Sequence, residues 1–117
     1  MNGEEAECAL NIDSHPDVEY WLRNLERTEK FAFWLQTSTD KFYPDFVVKL
    51  IDGTIVLVEY KRPDLYDTPD SQEKRKVGEY YEYISNGKCR FVMLKGKEWD
   101  KLNRRLNLSI NSVSYTD

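Results

Sequence analysis

Two apolar runs, residues 43–50 (YPDFVVKL) and 55–61 (IVLVEYK), flank Asp52-Gly53. Both are rich in β-branched and aromatic residues, and Asp-Gly between such runs predicts a β-hairpin. With a three-residue loop of Ile51, Asp52 and Gly53, Leu50 closes against Thr54. Gly53 then takes the left-handed position of a type I turn followed by a G1 bulge, which glycine fills without strain. Counting outward, Lys49 meets Ile55, Val48 meets Val56, Val47 meets Leu57 and Asp45 meets Glu59. Side chains alternate along a strand, so Asp45, Glu59 and Lys61 project from one face. Phe46, Val48, Leu50, Val56, Val58 and Tyr60 project from the other. A two-residue loop would mix the faces.

The remaining segments are read around this hairpin. Glu4 to Ile12 predicts a short helix with Cys8, Ala9 and Ile12 on one side. Asp13 or Ser14 can cap a second helix with Pro16 in its first turn. Val18, Trp21, Leu22 and Leu25 give that helix an i, i+3, i+4, i+7 stripe. Residues 31–37 (FAFWLQT) predict a strand. Asp70 with Glu73 forms a capping box for a further helix. Val77, Tyr80, Tyr81 and Ile84 form its apolar face, and Ser85-Asn86-Gly87 stops it. Residues 89–94 (CRFVML) predict a strand, and Trp99, Leu102 and Leu106 a last helix. Three strands in succession, a helical crossover and a fourth strand imply an α/β fold: a mixed four-stranded central sheet flanked by helices, with an α-β-β-β-α-β core.

The 117 residues suit one domain, 1–117, whose polar tail 109–117 is read as loosely held. The longest apolar run is too short to span a bilayer, and acidic Glu4, Glu5 and Glu7 follow Met1 where a secretory signal would be basic, so a cytoplasmic location is expected. Cys8 and Cys89 stand outside any CxxC or Cys/His cluster and read as buried small hydrophobes. His15, the one histidine, reads as a surface residue, and a Ser–His–Asp hydrolase has no material here. The net charge of −4 departs from the basic balance of free-standing nucleic-acid binders. Affinity for nucleic acid then needs a local patch, a bound metal or another domain.

Two carboxylates opposed on a sheet repel each other. A cation between them removes the repulsion, and Mg²⁺ takes hard oxygen ligands from one or two carboxylates plus water and phosphate. Lys61 on the same face can orient an attacking water or neutralise charge that builds on a phosphate. The plain reading of the same residues is a solvated face of alternating charges.

YPDF (43–46) and VEYK (58–61) resemble the PD-(D/E)xK nuclease motif, and the order of elements resembles the restriction-endonuclease-like fold. ECALNID (7–13), VEYWLRNLER (18–27), FWLQTSTDKFYPDF (33–46), DGTIVLVEYK (52–61) and residues 70–94 together look like the C-terminal endonuclease domain of type III restriction enzymes and related helicase-linked proteins. The resemblance implies a Mg²⁺- or Mn²⁺-dependent endonuclease that hydrolyses DNA. Asp45, Glu59 and Tyr60 would hold the metal, and Lys61 would be the catalytic lysine. A further carboxylate would come from the first helix; Glu5 is preferred there, with Glu4 and Glu7 as rivals. Such domains sit behind a helicase or ATPase module and work with a methyltransferase subunit. The chain carries no GxxxxGK[ST] loop, so it would be a fragment or stand-alone relative of a larger helicase-nuclease, and a homodimer is a further expectation. Where the family places glycine after the motif lysine, Arg62-Pro63 stand here.

Lys74 and Lys76 are candidates for DNA phosphates, against a plainly solvated helix start. Tyr80, Tyr81 and Tyr83 at helical spacing read as packing residues, as do Trp21, Trp34 and Trp99. Asp64, Asp67 and Asp70 read as a solvated acidic loop. The alternative to an enzyme is a module that keeps the fold but binds DNA or docks to a helicase without cutting.

Overall fold

The hairpin is the centre of the molecule. The structure, a computed structural model, describes residues 3–24 and 33–108. The main sheet has strands β1 (Val18–Arg23), β4 (Phe46–Leu50), β5 (Ile55–Lys61) and β6 (Cys89–Lys95), in the spatial order β1-β4-β5-β6. β1 and β4 are antiparallel, as are β4 and β5; β5 and β6 are parallel. The sheet is therefore mixed, and helix α2 (Pro69–Ile84) makes the crossover that a parallel pair requires. Two short strands, β2 (Leu35–Gln36) and β3 (Lys41–Phe42), form a separate small sheet.

The expected loop is present. The Leu50 N–H donates to Thr54 O at 2.8 Å, the Gly53 N–H donates to Leu50 O at 2.9 Å, and Gly53 has φ +93°. Pairing runs Phe46–Val58, Val47–Leu57, Val48–Val56 and Lys49–Ile55. Phe46, Val48, Leu50, Val56 and Val58 form one core with Cys8, Ala9 and Ile12 of α1 (Gly3–Asp13) and Leu102 and Leu106 of α3 (Trp99–Leu106). The opposite face is apolar too: Leu57, Phe91 and Met93 form a second core with Leu35 and Phe42 of the small sheet, and Val77 and Tyr81 of α2 lie against it. Burial on both faces explains why β5 is an almost continuous apolar run.

The second helix expected after Ser14 is instead β1. Its helical spacing is produced by a bulge. Val18 pairs with Leu50 and Tyr20 with Lys49, so Glu19 is an extra residue. Val18 and Trp21, three apart, thereby face the same core as Leu50 and Val48, two apart. Leu22 points outward and is 51% exposed; Leu25 lies outside the described residues. The strand expected at 31–37 shrinks to Leu35–Gln36 and leaves the main sheet, β1 taking its place. Residues 31 and 32 lie outside the described residues, as does the tail 109–117.

α2 is capped by Thr68, whose side chain accepts from the Ser71 N–H, with Pro69 in the first turn. The expected Asp70–Glu73 box does not form, because Glu73 accepts from the Ser38 N–H at 2.8 Å and Asp70 pairs with Lys74 at 3.1 Å. The helix meets the sheet through Val77, Gly78 and Tyr81 rather than through Tyr80 and Ile84, which are 63% and 52% exposed. Tyr83 is exposed as well. Gly78 sets this line of contact, since a Cβ there would lie 2.5 Å from the Phe91 ring.

His15 is buried in the turn between α1 and β1. Its Nδ1 accepts from the Asp17 N–H at 3.0 Å, which makes Nε2 the donor to Asn107 Oδ1 at 2.8 Å. Cys8 and Cys89 are buried free thiols, which burial raises to about 12 and about 11. Among the described residues no helix is long and apolar enough to cross a membrane.

Candidate active site

The chain leaves β5 at Lys61 and enters β4 just after Asp45, so the open end of the hairpin gathers the motif residues. The ladder stops at Phe46–Val58, and side chains take over beyond it. The Asp45 N–H donates to Glu59 Oε1 at 2.9 Å, and the Tyr60 N–H donates to Asp45 Oδ2 at 2.8 Å. Each carboxylate is thus held by main chain belonging to the other strand. Lys61 Nζ lies 3.5 Å from Glu59 Oε2, on the face that alternation assigns to it. Asp45, Glu59 and Lys61 come together as expected.

Glu59 is buried, only 5% exposed, and Asp45 is half-buried. Burial raises the pKa of Asp45, and the Glu5 charge raises it further, against the Tyr60 N–H and Lys61. Burial raises Glu59 well above the ordinary carboxylate range, and the Asp45 charge adds to this, against Lys61 and Lys74. Two acids that resist joint ionisation fit a divalent cation: they offer hard oxygen donors at a place where a second negative charge is otherwise unfavourable. Among the described residues no three His, Cys, Asp or Glu side chains cluster closely enough to hold a metal by themselves. The remaining ligands of a cation between Asp45 and Glu59 would then be main-chain oxygen, water or substrate oxygen.

The first helix is resolved into three different acids. Glu5 is the one whose charge bears on Asp45, and it lies 4.0 Å from Arg23. Glu4 accepts from the Tyr60 hydroxyl, which burial and this carboxylate raise to about 12. Glu7 pairs with Lys97 at 3.3 Å. The Tyr60 side chain therefore points away from the carboxylate pair, and only its main chain reaches Asp45. Lys74 projects from the side of α2 that carries Ser71 and Gly78; its Nζ lies 5.4 Å from the Phe42 ring centroid and its charge reaches Glu59. Lys76, two residues on, is exposed. Positions two apart do not share a helix face, so Lys74 stands at the site and Lys76 does not.

Asn24 is a residue the sequence did not single out. Its Nδ2 donates to Phe33 O at 2.6 Å and to Pro44 O at 2.9 Å, and its Oδ1 accepts from the Phe33 N–H at 2.9 Å. Its own N–H donates to Asp45 O at 2.8 Å. One amide thus ties the end of β1 to the chain on both sides of the small sheet and sets where Asp45 begins. The spacing of an Asn from YPDF carries no such signal, because these bonds depend on strand pairing. The acidic loop is exposed as expected, with Asp64 paired to Arg62 at 2.8 Å and Asp67 to Arg75 at 3.7 Å.

Comparison with protein-family models, with curated proteins and with solved structures finds no match to the chain.

Proposed function

We propose that the chain is a metal-dependent endonuclease domain of restriction-endonuclease-like fold, similar to the nuclease domains of type III restriction enzymes, and that it hydrolyses DNA phosphodiester bonds. The observation that supports this most is the clamped Asp45–Glu59 pair with Lys61 beside it. A solvated charged face, the plain reading, would leave these groups exposed and free to part. Here Glu59 is buried, Asp45 and Lys61 are half-buried, and the two carboxylates are cross-strapped, with pKa values raised in the direction that a cation between them would offset.

Asp45 and Glu59 would hold Mg²⁺ or Mn²⁺, with main-chain oxygen at Tyr60 as a further ligand and Glu5 in support through water. When bound, the ion supplies Lewis-acid polarisation of the phosphate and a lowered pKa for water. Lys61 directs an N–H at the phosphate face, where it orients the attacking water and offsets charge that grows on the non-bridging oxygens. Water adds to phosphorus, the P–O bond to the leaving sugar breaks, and the sugar oxygen takes up a proton. A helicase or methyltransferase partner, or a second copy, would supply DNA contacts that a chain of net charge −4 lacks in bulk.

That same charge favours a second reading, a fold that docks to DNA or to a helicase without cutting. Lys61→Ala separates the two. Nicking of plasmid DNA with Mg²⁺, by the chain alone or fused to a helicase partner, should drop by about a hundredfold or more. Folding, followed by circular dichroism, should be kept. Equal nicking by both proteins rejects the mechanism, and no nicking from any form favours the docking module.

A further inference from the structure

Beyond the Asp45–Glu59 pair, the sheet end carries a concentration of positive charge of which the catalytic reading uses only Lys61. Lys61 and Lys95 are directly paired on the parallel strands β5 and β6, so like charges project side by side from one face, an arrangement that costs stability by itself. Two more cations converge from other elements. Arg75 of α2 lies 4.3 Å and Lys101 of α3 lies 5.7 Å from the centroid of the Tyr66 ring, and Lys95 lies 5.8 Å from the same centroid. Tyr66 belongs to the loop between β5 and α2.

Interior contacts aim these cations. Arg75 donates to Tyr66 O at 2.9 Å, and Lys101 donates to Met93 O at 2.9 Å. The side-chain ion pairs there are long, Asp67 3.7 Å from Arg75 and Glu98 3.7 Å from Lys101, while Glu98 also accepts from the Lys95 N–H at 2.6 Å. Lys95 is exposed and makes no ion pair among the described residues. Three cations around one aromatic ring, in a chain of net charge −4, are a cost unless an anion comes to them. Tyr66 packs against the second core with Arg75 over its ring, so it fixes where the cations stand, and cations gathered at one place are what a backbone phosphate takes to.

We propose that the Tyr66 cluster is a phosphate-binding cradle for the nucleic-acid strand, in which Lys95 and Lys101 hold a backbone phosphate next to the one that Lys61 faces. This deepens the nuclease reading and rests on it for the placing of the reacting phosphate, but its own readout is binding. Fluorescence anisotropy of labelled DNA, without divalent cations, would be measured across a salt series for wild type, Lys95→Glu, Lys101→Gln and the double variant. Lys88→Glu, exposed at the opposite end of β6, is the control. Each cradle substitution should lower the salt slope by about one unit, and the double variant should bind roughly tenfold or more weakly at low salt. The control should bind like wild type. Lys95 is surface-exposed, so Lys95→Glu tests the proposal even if the Lys101 variant folds poorly.

Unchanged slopes, an equal loss in the control, or no DNA binding by wild type each overturn the cradle. Displacement of DNA by polyglutamate at equal charge overturns it too, by showing a surface for acidic protein. If the protein nicks plasmid yet its slope ignores Lys95, the cradle fails and the nuclease reading stands. If it binds through Lys95 and never nicks, the reverse holds.

Discussion

Glu59 shows what a single residue must endure at this site. It is an acid placed between an acid and a lysine, with burial as its largest perturbation. Asp45 and Glu59 both have folded-state pKa values above their ordinary 3.8 and 4.5. Acids raised in this way contribute stability that is fully present below the unfolded values and is lost as pH rises through the folded ones. The metal-free protein should therefore lose stability as pH climbs from the ordinary carboxylate range toward neutral. Glu59→Gln removes one of the two charges and should flatten that decline, as urea midpoints measured across pH would record. A difference between wild type and variant that stays constant with pH contradicts the assignment. Asn24 makes a related point without charge. Asn24→Ala should cost about 1–3 kcal/mol, since it leaves the Phe33 and Pro44 carbonyls without their side-chain donor, and should weaken Mn²⁺ binding by calorimetry because the chain entering Asp45 is no longer held at Pro44.

At the scale of elements, the hairpin and α2 were legible for different reasons. The Asp52-Gly53 turn is local chemistry, and its positive φ at Gly53 and its register followed from counting. The contact line of α2 was read rightly at Val77 and Tyr81 and wrongly at Tyr80 and Ile84, because the closest approach uses Gly78, a residue with no apolar side chain to announce it. Gly78→Ala should push the helix from Phe91, whose ring atoms lie 2.5–2.6 Å from the added Cβ. Overpacking of this kind costs about 1–3 kcal/mol, to be read as a lowered urea midpoint with unchanged slope. β1 was misread for the complementary reason. Its bulge places core residues three apart, which on periodicity alone is indistinguishable from a helix turn.

For the whole molecule, a cation that binds only the folded chain adds stability by mass action. At a Mn²⁺ concentration about a hundredfold above the dissociation constant, the gain is about 2.7 kcal/mol. Wild type should therefore melt higher with Mn²⁺, and EDTA should reverse the shift. Asp45→Asn, which keeps shape but loses a charged donor, should show little or none of it. Equal shifts in both proteins would place Mn²⁺ binding elsewhere on the chain. The cation should also reduce the decline in stability toward neutral pH, because it neutralises the two charges that cause it.

What the sequence determined by itself was local in origin: the hairpin loop, the alternation that puts Asp45, Glu59 and Lys61 on one face, the strand at 89–94, and the first and last helices. Each follows from turn chemistry or from the period of side chains along a regular backbone. What only the tertiary structure decided depends on partners distant in the chain. Pairing with β4 made residues 18–23 a strand, whereas the short Leu35–Gln36 strand found its partner outside the main sheet. Packing against Phe91 turned Tyr80 and Ile84 to solvent. The separate directions of Glu4, Glu5 and Glu7 follow from what each meets across the fold: Tyr60, Arg23 and Lys97. Sequence spacing records the angle at which a side chain leaves its own backbone; it does not record which surface waits for it.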